Sequence, residues 1–485
     1  MPASTLKLPG SDRGIYCNRT INIRALKAVG FDMDYTLIHY KTEEWERRCY
    51  AHVKQRLLER GWAAVTTLEF DPELVTRGLI LDVQSGNMVK ANRFGFVKRA
   101  CHGTRMLTFE EQRDKYAREQ VDLSDPRWVF LNTYFNLSEA CIYLQLVDLL
   151  DAGKLEGALG YESIYKIVRS CIDETHMEGT LKAEILAEPD KYVELDEDLP
   201  LALLDMKHAG RSLLLITNSE WSYTRELMAY CFDRFLPSGM TWRDLFDVTI
   251  VGAGKPAFFS QRGPVFEVVD EGGLLRPARA LKKGAVFLGG NARMVEDLLG
   301  VPSEEILYVG DHMFSDVHAS KSLHRWRTAL VVRELEPELR ALDAFRDKQV
   351  TLTEMMNEKD RLEAEFSALR LELQRSEKGY GPPPSDKPEG LKRGMQALRA
   401  KLVELDARIA PLAKEASELV NTRWGLLMRA GNDKSHLARQ IERHADMYMS
   451  RVSNMLWATP FVYLRSMRGS LPHDPGSGGD VRQGA

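Results

Sequence analysis

The chain has 485 residues, 44% of them hydrophobic and 28% charged, with 66 basic against 70 acidic side chains and a formal net charge of −4. That length exceeds a single hydrophobic core and implies two or three domains, and the composition is that of an ordinary water-soluble globular protein. The near balance of charge excludes a general attraction to nucleic acid or an anionic membrane, so an anionic ligand needs a locally built site.

The N-terminal stretch MPASTLKLPGSDRGIYCNR has no apolar core of signal-peptide length, and no apolar run is long enough to span a bilayer. The cysteines, Cys17, Cys49, Cys101, Cys141, Cys171 and Cys231, are dispersed with no CxxC pair. Dispersal argues against a disulfide framework or zinc cluster and for reduced thiols in a cytoplasmic protein. The first predicted strand is 26–31 (LKAVGF). Five more follow at 212–216 (SLLLI), 248–251 (VTIV), 285–288 (AVFL), 306–309 (ILYV) and 329–332 (ALVV). Helical stretches separate most of them, the pattern of a doubly wound α/β sheet with a Rossmann-like parallel core. Between the first two strands lie roughly 180 residues, far beyond an ordinary crossover. A separate domain must be inserted there, from just after Tyr40 to near Leu199. The expected division is a catalytic core of residues 1–40 and 200–335, an inserted α/β cap of 41–199, a helical extension of 336–468, and a disordered tail of 469–485 rich in Gly, Pro, Ser and Asp. Within the extension, Leu362, Phe366, Leu369 and Leu373 form one narrow apolar stripe. Leu391, Met395, Leu398, Leu402, Leu405 and Ile409 form another, and GYGPPPSDKPEG between them turns the chain back. The stripes predict an antiparallel hairpin, used either for contact between subunits of a homo-oligomer or for packing within its own chain.

The chemistry-bearing residues stand where strands end, the edge at which open α/β sheets bind ligands. The first strand runs into Asp32-Met33-Asp34-Tyr35-Thr36, and the second into Thr217-Asn218-Ser219. The third is followed by Gly254-Lys255-Pro256, and ILYV by Gly310-Asp311-His312-Met313-Phe314-Ser315-Asp316. Singly, these read as a helix-capping loop, a turn, a solvated lysine and a turn with a cap. Together, in this order, they assemble the groups that phosphoryl transfer requires. A phosphomonoester dianion repels anionic nucleophiles, so a carboxylate attacks only beside cancelling positive charge. Mg²⁺ takes oxygen ligands, which suits Asp32, the main-chain carbonyl of Asp34, and Asp311. Asp32 then serves as nucleophile and Asp34 as general acid and base. Thr217, Asn218 and Ser219 hold phosphoryl oxygens, Lys255 supplies fixed positive charge, and Asp316 orients Lys255 or nearby waters.

With these motifs in place, the chain resembles the haloacid-dehalogenase superfamily, whose four motifs match the four strand ends in order. An acid at the position of Asp34 separates its phosphatases and phosphotransferases from its dehalogenases. The insertion matches the cap placed between motifs one and two. GFDMDYTL, LNTYFNLSEA, ITNSEWSYT, GKPAFF and ILYVGDHMFSDVHASK further resemble the cytosolic purine 5′-nucleotidases of type II and their bacterial relatives. The likeness runs from roughly Phe31 to Leu335 and resumes near residues 429–472. The resemblance implies Mg²⁺-dependent hydrolysis of purine nucleoside 5′-monophosphates, IMP or GMP preferred, with phosphate transfer to a nucleoside as a side activity. It also implies that Phe135 packs on the base, that Arg169 and Asp173 read a 6-oxopurine, and that Lys182 is a further basic contact. On spacing alone, Arg169 and Asp173 read first as an ordinary ion pair on one helix face, and His176 nearby as an ordinary packed or surface residue. Asp122 and Ser322 stand where nucleotide-activated members carry basic residues, while Phe314 and Asn132 keep part of that pattern. Two other readings fit the sequence: a phosphatase for a different small phosphomonoester, and a scaffold that binds partners through the hairpin. The intact set Asp32, Asp34, Asp311 and Lys255 argues against the scaffold.

Overall fold

A computed structural model describes residues 10–157, 160–177 and 179–467, without the side chains of residues 176 and 177. His176 and the predicted tail therefore fall outside what is described. The apolar runs pair into one mixed sheet of ten strands. Its order is Ile15–Cys17, Met447–Met449, Arg327–Val331, Ile306–Gly310, Ala28–Phe31, Ser212–Ile216, Val248–Val251, Ala285–Gly289, Val265–Val268, Leu275–Ala278. From Met447–Met449 to Ala285–Gly289 every pairing is parallel. The outer pairings, Ile15–Cys17 on one side and the Val265–Val268/Leu275–Ala278 hairpin on the other, are antiparallel.

All six predicted strands are present within two residues of their expected bounds. The central ones are buried along their whole length, as two-sided coverage by helices requires: Ala28–Phe31, Val248–Val251 and Ile306–Gly310. The first strand in the chain lies centrally, between Ile306–Gly310 and Ser212–Ile216, so the topology reverses there. Register places Phe31 opposite both Leu215 and Val309, and three chain segments leave the sheet at nearly one level.

Gly30 is required for this layering. A Cβ there would lie 2.9 Å from the Tyr308 ring, and that ring must cross Gly30 for its hydroxyl to donate to the carbonyl of Ile216 at 3.0 Å.

The segment between the first two parallel strands leaves and rejoins the core through a short antiparallel ribbon, His39–Tyr40 against Val193–Glu194. It holds a five-stranded antiparallel sheet, ordered Arg105–Met106, Val97–His102, Asn87–Ala91, Ile80–Asp82, Trp128–Phe130. Beside the sheet, helices Thr42–Glu59, Leu137–Asp151 and Tyr161–Met177 pack on one another. Leu137–Asp151 is apolar nearly all round and accordingly buried, including Cys141, Ile142, Tyr143, Leu144 and Leu146.

The C-terminal expectation needs a correction. Residues 338–426 form a separate compact unit, but residues 427–467 belong with the core and insertion, not with the helices. Met447–Met449 joins the main sheet beside Arg327–Val331, and Tyr463–Leu464 pairs with Ile21–Asn22. Asp446 fixes that return. Its carboxylate accepts from Thr328 N at 3.0 Å, and its carbonyl accepts from Asn18 and Arg19 N–H groups.

In the separate unit, Arg346–Lys378 and Pro388–Ser417 form the predicted antiparallel pair. Leu352, Met355, Leu405 and Ile409 make its core, with Leu362 packed against them. Lys359 reaches Asp406 at 2.7 Å across the seam.

Each of the six cysteines is a thiol, and all but Cys17 are buried. Among the described residues no helix is long and apolar enough to cross a membrane.

Candidate active site

The flush strand ends open into a cleft of about 540 Å³ between the sheet edge and the insertion. Asp32, Asp34, Thr217, Asn218, Ser219, Lys255, Asp311 and Asp316 all line it, together with Phe135, Arg169 and Lys182 from the insertion. Of the residues expected to act in catalysis, metal binding or base contact, Asp173 is the one not among the described lining residues.

Lys255 stands at the centre. Its ammonium lies 2.7 Å from Asp32 Oδ1 and 2.8 Å from Asp316 Oδ1, with the side chain 2% exposed. It also donates to the Tyr308 hydroxyl at 3.2 Å. Asn218 locks the lysine's main chain from both sides. Lys255 N donates to Asn218 Oδ1 at 2.7 Å, and Asn218 Nδ2 donates to the Lys255 carbonyl at 3.0 Å. The Asn218 amide, expected to hold phosphoryl oxygens, places the main chain of Lys255.

Asp316 reaches the lysine through one turn of π-helix, Met313–His318. That widened turn folds the carboxylate back toward the strand end, where Oδ2 accepts from His312 N at 3.1 Å. Gly310 makes room, since a Cβ there would meet Asp316 at 2.5 Å. His312 accepts from Phe314 N and Ser315 N through Nδ1, and burial, with Arg77 and Lys255 nearby, depresses its pKa to about 4. The ring is therefore a neutral acceptor.

Asp34 has a different environment. Tyr40 donates to its Oδ1, Ser219 donates to Oδ2 at 2.8 Å, and Tyr40 and Tyr223 share a hydroxyl contact of 2.9 Å. Lys182 in turn donates to Ser219 Oγ at 3.3 Å and pairs with Glu220 at 2.7 Å. Ser219, expected at a phosphate, serves the second aspartate here. Thr217 is fully buried, and its Oγ1 accepts from Ser219 N at 3.0 Å.

Burial and neighbouring charge together set the titration. Burial first, then the neighbouring Asp316, raises the Asp32 carboxyl to about 6 against the opposing pull of Lys255. Burial and Asp32 raise Asp34, and burial with Asp316 and Asp32 holds Asp311 well above the carboxylate range. Burial works to depress the Lys255 ammonium, but Asp316 and Asp32 outweigh it and hold it well above its usual value. Carboxylate oxygens of Asp32, Asp311 and Asp316 lie within 4.8 Å of one another. An all-oxygen donor set carrying more negative charge than one ammonium cancels fits a hard divalent cation.

Toward the insertion, Phe135 sits edge-on to Tyr35 and Trp45, with ring centroids 4.9 Å and 5.7 Å away. Arg169 pairs with Glu139 at 3.0 Å and with Asp173 at 3.2 Å, the ordinary helix pair that spacing allowed. Phe314 lines a separate cavity with His318, Arg443 and His444, whereas Asn132 lines the main cleft.

Four supporting residues escaped the sequence reading: Tyr40, Thr133, Tyr308 and Arg77. Tyr308 sits within a strand signal and Tyr40 at the start of the insertion, but nothing local distinguishes a tyrosine that reaches a catalytic group from one that packs. Arg77, in TRGLILD, is an arginine at the entry to a buried strand, and it is 2% exposed.

The sequence model of the 5' nucleotidase family matches residues 15–476. The human 5'-nucleotidase domain-containing protein 2 is 26% identical over 457 residues, covering 91% of this chain and 81% of that protein. Among solved structures, a beta-phosphoglucomutase from hyperthermophilic Pyrococcus is similar with a TM-score of 0.28 and 12% identity, covering 63% of this chain and 86% of that one. A haloacid dehalogenase-like hydrolase from Xanthomonas campestris has a TM-score of 0.24 and 14% identity, covering 63% and 82% respectively.

Proposed function

The chain belongs to the 5' nucleotidase family, and from that premise we propose that it hydrolyses purine nucleoside 5′-monophosphates, IMP and GMP ahead of AMP, with Mg²⁺ as cofactor. The observation that carries the reading is the Lys255 ammonium held between Asp32 and Asp316 at 2.7 Å and 2.8 Å, with Asp34 two residues beyond Asp32.

Asp32, the Asp34 carbonyl and Asp311 would hold a divalent cation, which would supply the charge that lets a carboxylate approach a phosphate dianion. Asp32 attacks phosphorus and the bond to the nucleoside oxygen breaks. Asp34, whose carboxyl pKa is shifted upward by burial and by Asp32, delivers a proton to the departing oxygen as general acid. It then takes a proton from the water that attacks the aspartyl-phosphate, and the bond to Asp32 breaks to release phosphate. Lys255 offsets charge at the attacking carboxylate, and Asp316 keeps the lysine in place. Thr217 and the main-chain N–H groups beyond it hold phosphoryl oxygens. A nucleoside hydroxyl in place of water gives phosphotransfer from the same intermediate.

For the base, Phe135 offers an aromatic face, Arg169 a donor and Lys182 a further cation. Asp173 joins them by turning from Arg169 toward the ligand. A cytoplasmic setting and assembly through the 338–426 helices belong to the same proposal.

One observation favours a second reading, a different small phosphomonoester as substrate. Arg169 is already bound by Glu139 and Asp173, and Asp173 is 53% exposed in its side chain. A panel of phosphorylated metabolites, assayed for phosphate release with Mg²⁺ and with EDTA, decides between them. Release from IMP and GMP, abolished by EDTA, supports the nucleotidase. Release from sugar phosphates alone supports the second reading, and release from none refutes both.

A further inference from the structure

The insertion does more than roof the cleft, because it grips one of the core's acidic residues at two points. Arg77 is a fully buried guanidinium whose donors spread over three main-chain carbonyls. Nε donates to Asn132 O at 2.8 Å, Nη1 to Val331 O at 3.3 Å, and Nη2 to Asp311 O. Glu334 lies 3.6 Å away, and the guanidinium sits over the Tyr134 ring at 5.9 Å. Two of those carbonyls end neighbouring core strands, and the third belongs to the loop that carries Thr133. From that loop, Thr133 Oγ1 donates to Asp311 Oδ2 at 3.3 Å. The main chain of Asp311 and its carboxylate are thus both held by residues more than a hundred positions away, on the inserted domain.

A buried guanidinium is costly unless its donors are satisfied, and here the acceptors include the main-chain carbonyl of Asp311, a member of the acid cluster. The planar fork places donors on three separate nitrogens, one for each carbonyl, whereas a lysine's donors all radiate from a single nitrogen. Its charge also lies beside a group crowded by two other carboxylates. The positions in the chain that supply substrate contacts and those that set the acid cluster are therefore not separate domains in function.

We propose that Arg77, assisted by Thr133, is a positioning residue that aims the Asp311 carboxylate at the divalent cation, so that the inserted domain completes the metal site. This rests on the reading of Asp311 as a metal ligand. The test is Mn²⁺ binding to the full-length protein without substrate, followed by the loss of the free-ion EPR signal. Far-UV circular dichroism in EDTA checks folding. Arg77→Met should weaken Mn²⁺ binding at least tenfold, Arg77→Lys less, and Thr133→Val about threefold. At saturating metal the KM for the phosphate ester should stay within twofold of wild type, a split that a general loosening of the cleft does not produce. A folded Arg77→Met that binds Mn²⁺ like wild type overturns the proposal. If neither Arg77 variant folds, Thr133→Val decides, and wild-type affinity there overturns it equally. Wild-type protein that neither binds Mn²⁺ nor releases phosphate sinks the underlying functional reading instead, a result distinct from failure of the Arg77 variants alone.

Discussion

Lys255→Met removes the one ammonium that separates Asp32 from Asp316, and its cost can be worked from the contacts. At an effective dielectric near 20, each contact of 2.7–2.8 Å corresponds to a gross attraction of about 6 kcal/mol. Most of that is offset by the desolvation of a lysine whose side chain is 2% exposed. Truncating one partner of such a buried set leaves uncompensated charge and typically costs about 3–5 kcal/mol. Methionine keeps the apolar stem packed, so the loss reports charge and not volume. Urea unfolding in EDTA should therefore show Lys255→Met destabilised by roughly 3–5 kcal/mol. Adding Asp316→Asn removes one of the orphaned carboxylates, and the double variant should recover about 1–3 kcal/mol relative to the sum of the single changes. Mg²⁺ should stabilise Lys255→Met more than wild type, because a cation then answers charge that nothing else answers. Phosphate release should fall by about 10²–10³, the range for losing one preorganised electrostatic contact. A loss below about 1 kcal/mol in EDTA, or a double variant no better than additive, would falsify the view that Lys255 neutralises the acid cluster.

Asp32→Asn should abolish turnover by several orders of magnitude, whereas Asp34→Asn should still form the phosphoenzyme from p-nitrophenyl phosphate and show a burst. Steady near-native turnover by Asp32→Asn would contradict the assignment. Ca²⁺, with more ligands at longer distances, should support activity poorly in metal-replacement assays. IMP and GMP should exceed AMP in kcat/KM by roughly one to three orders of magnitude, because adenine reverses both the donor and the acceptor at its edge. Arg169→Ala should erode that ratio more than Asp173→Asn, since Arg169 lines the cleft and Asp173 does not; equal rates on AMP and IMP exclude base reading. Glu46 gives a pH prediction: it is fully buried, accepts from Ser138 N at 2.7 Å, and burial raises its carboxyl from 4.5 to about 8. A raised folded pKa means its stability contribution is complete below 4.5 and lost as pH rises toward 8, by at most about 1.4 kcal/mol per unit. Glu46→Gln should therefore gain on wild type in thermal melts from pH 5 to pH 8, and parallel melting curves would show that Glu46 is ionised in the folded protein.

Much of this protein is written in local pattern. Short apolar runs bounded by turn residues and alternating with helical stretches read as buried parallel strands, so the strand ending at Phe31, SLLLI, VTIV and ILYV were readable. The residues that follow each run, Asp32, Thr217, Lys255 and Asp311, were readable with them, because strand direction delivers them to one edge. The apolar stripes of the hairpin were readable for the same reason, since a period of three and four needs only its own helix.

Tertiary structure decided what depends on partners far along the chain. Met447–Met449 is three residues long and becomes a strand only because Arg327–Val331 presents an unpaired edge. Leu275–Ala278 contains a proline and is largely exposed, so it carries no burial pattern and forms through its turn with Val265–Val268. Asn218 contacts Lys255 and Ser219 contacts Asp34, pairings left open by the sequence because a strand end shows which groups arrive but not which ones pair. Arg77 and Asp311 meet across 234 positions. No local signal encodes that meeting, and the physical reason is simple: a buried guanidinium is tolerable only where folding has already gathered the carbonyls that satisfy it.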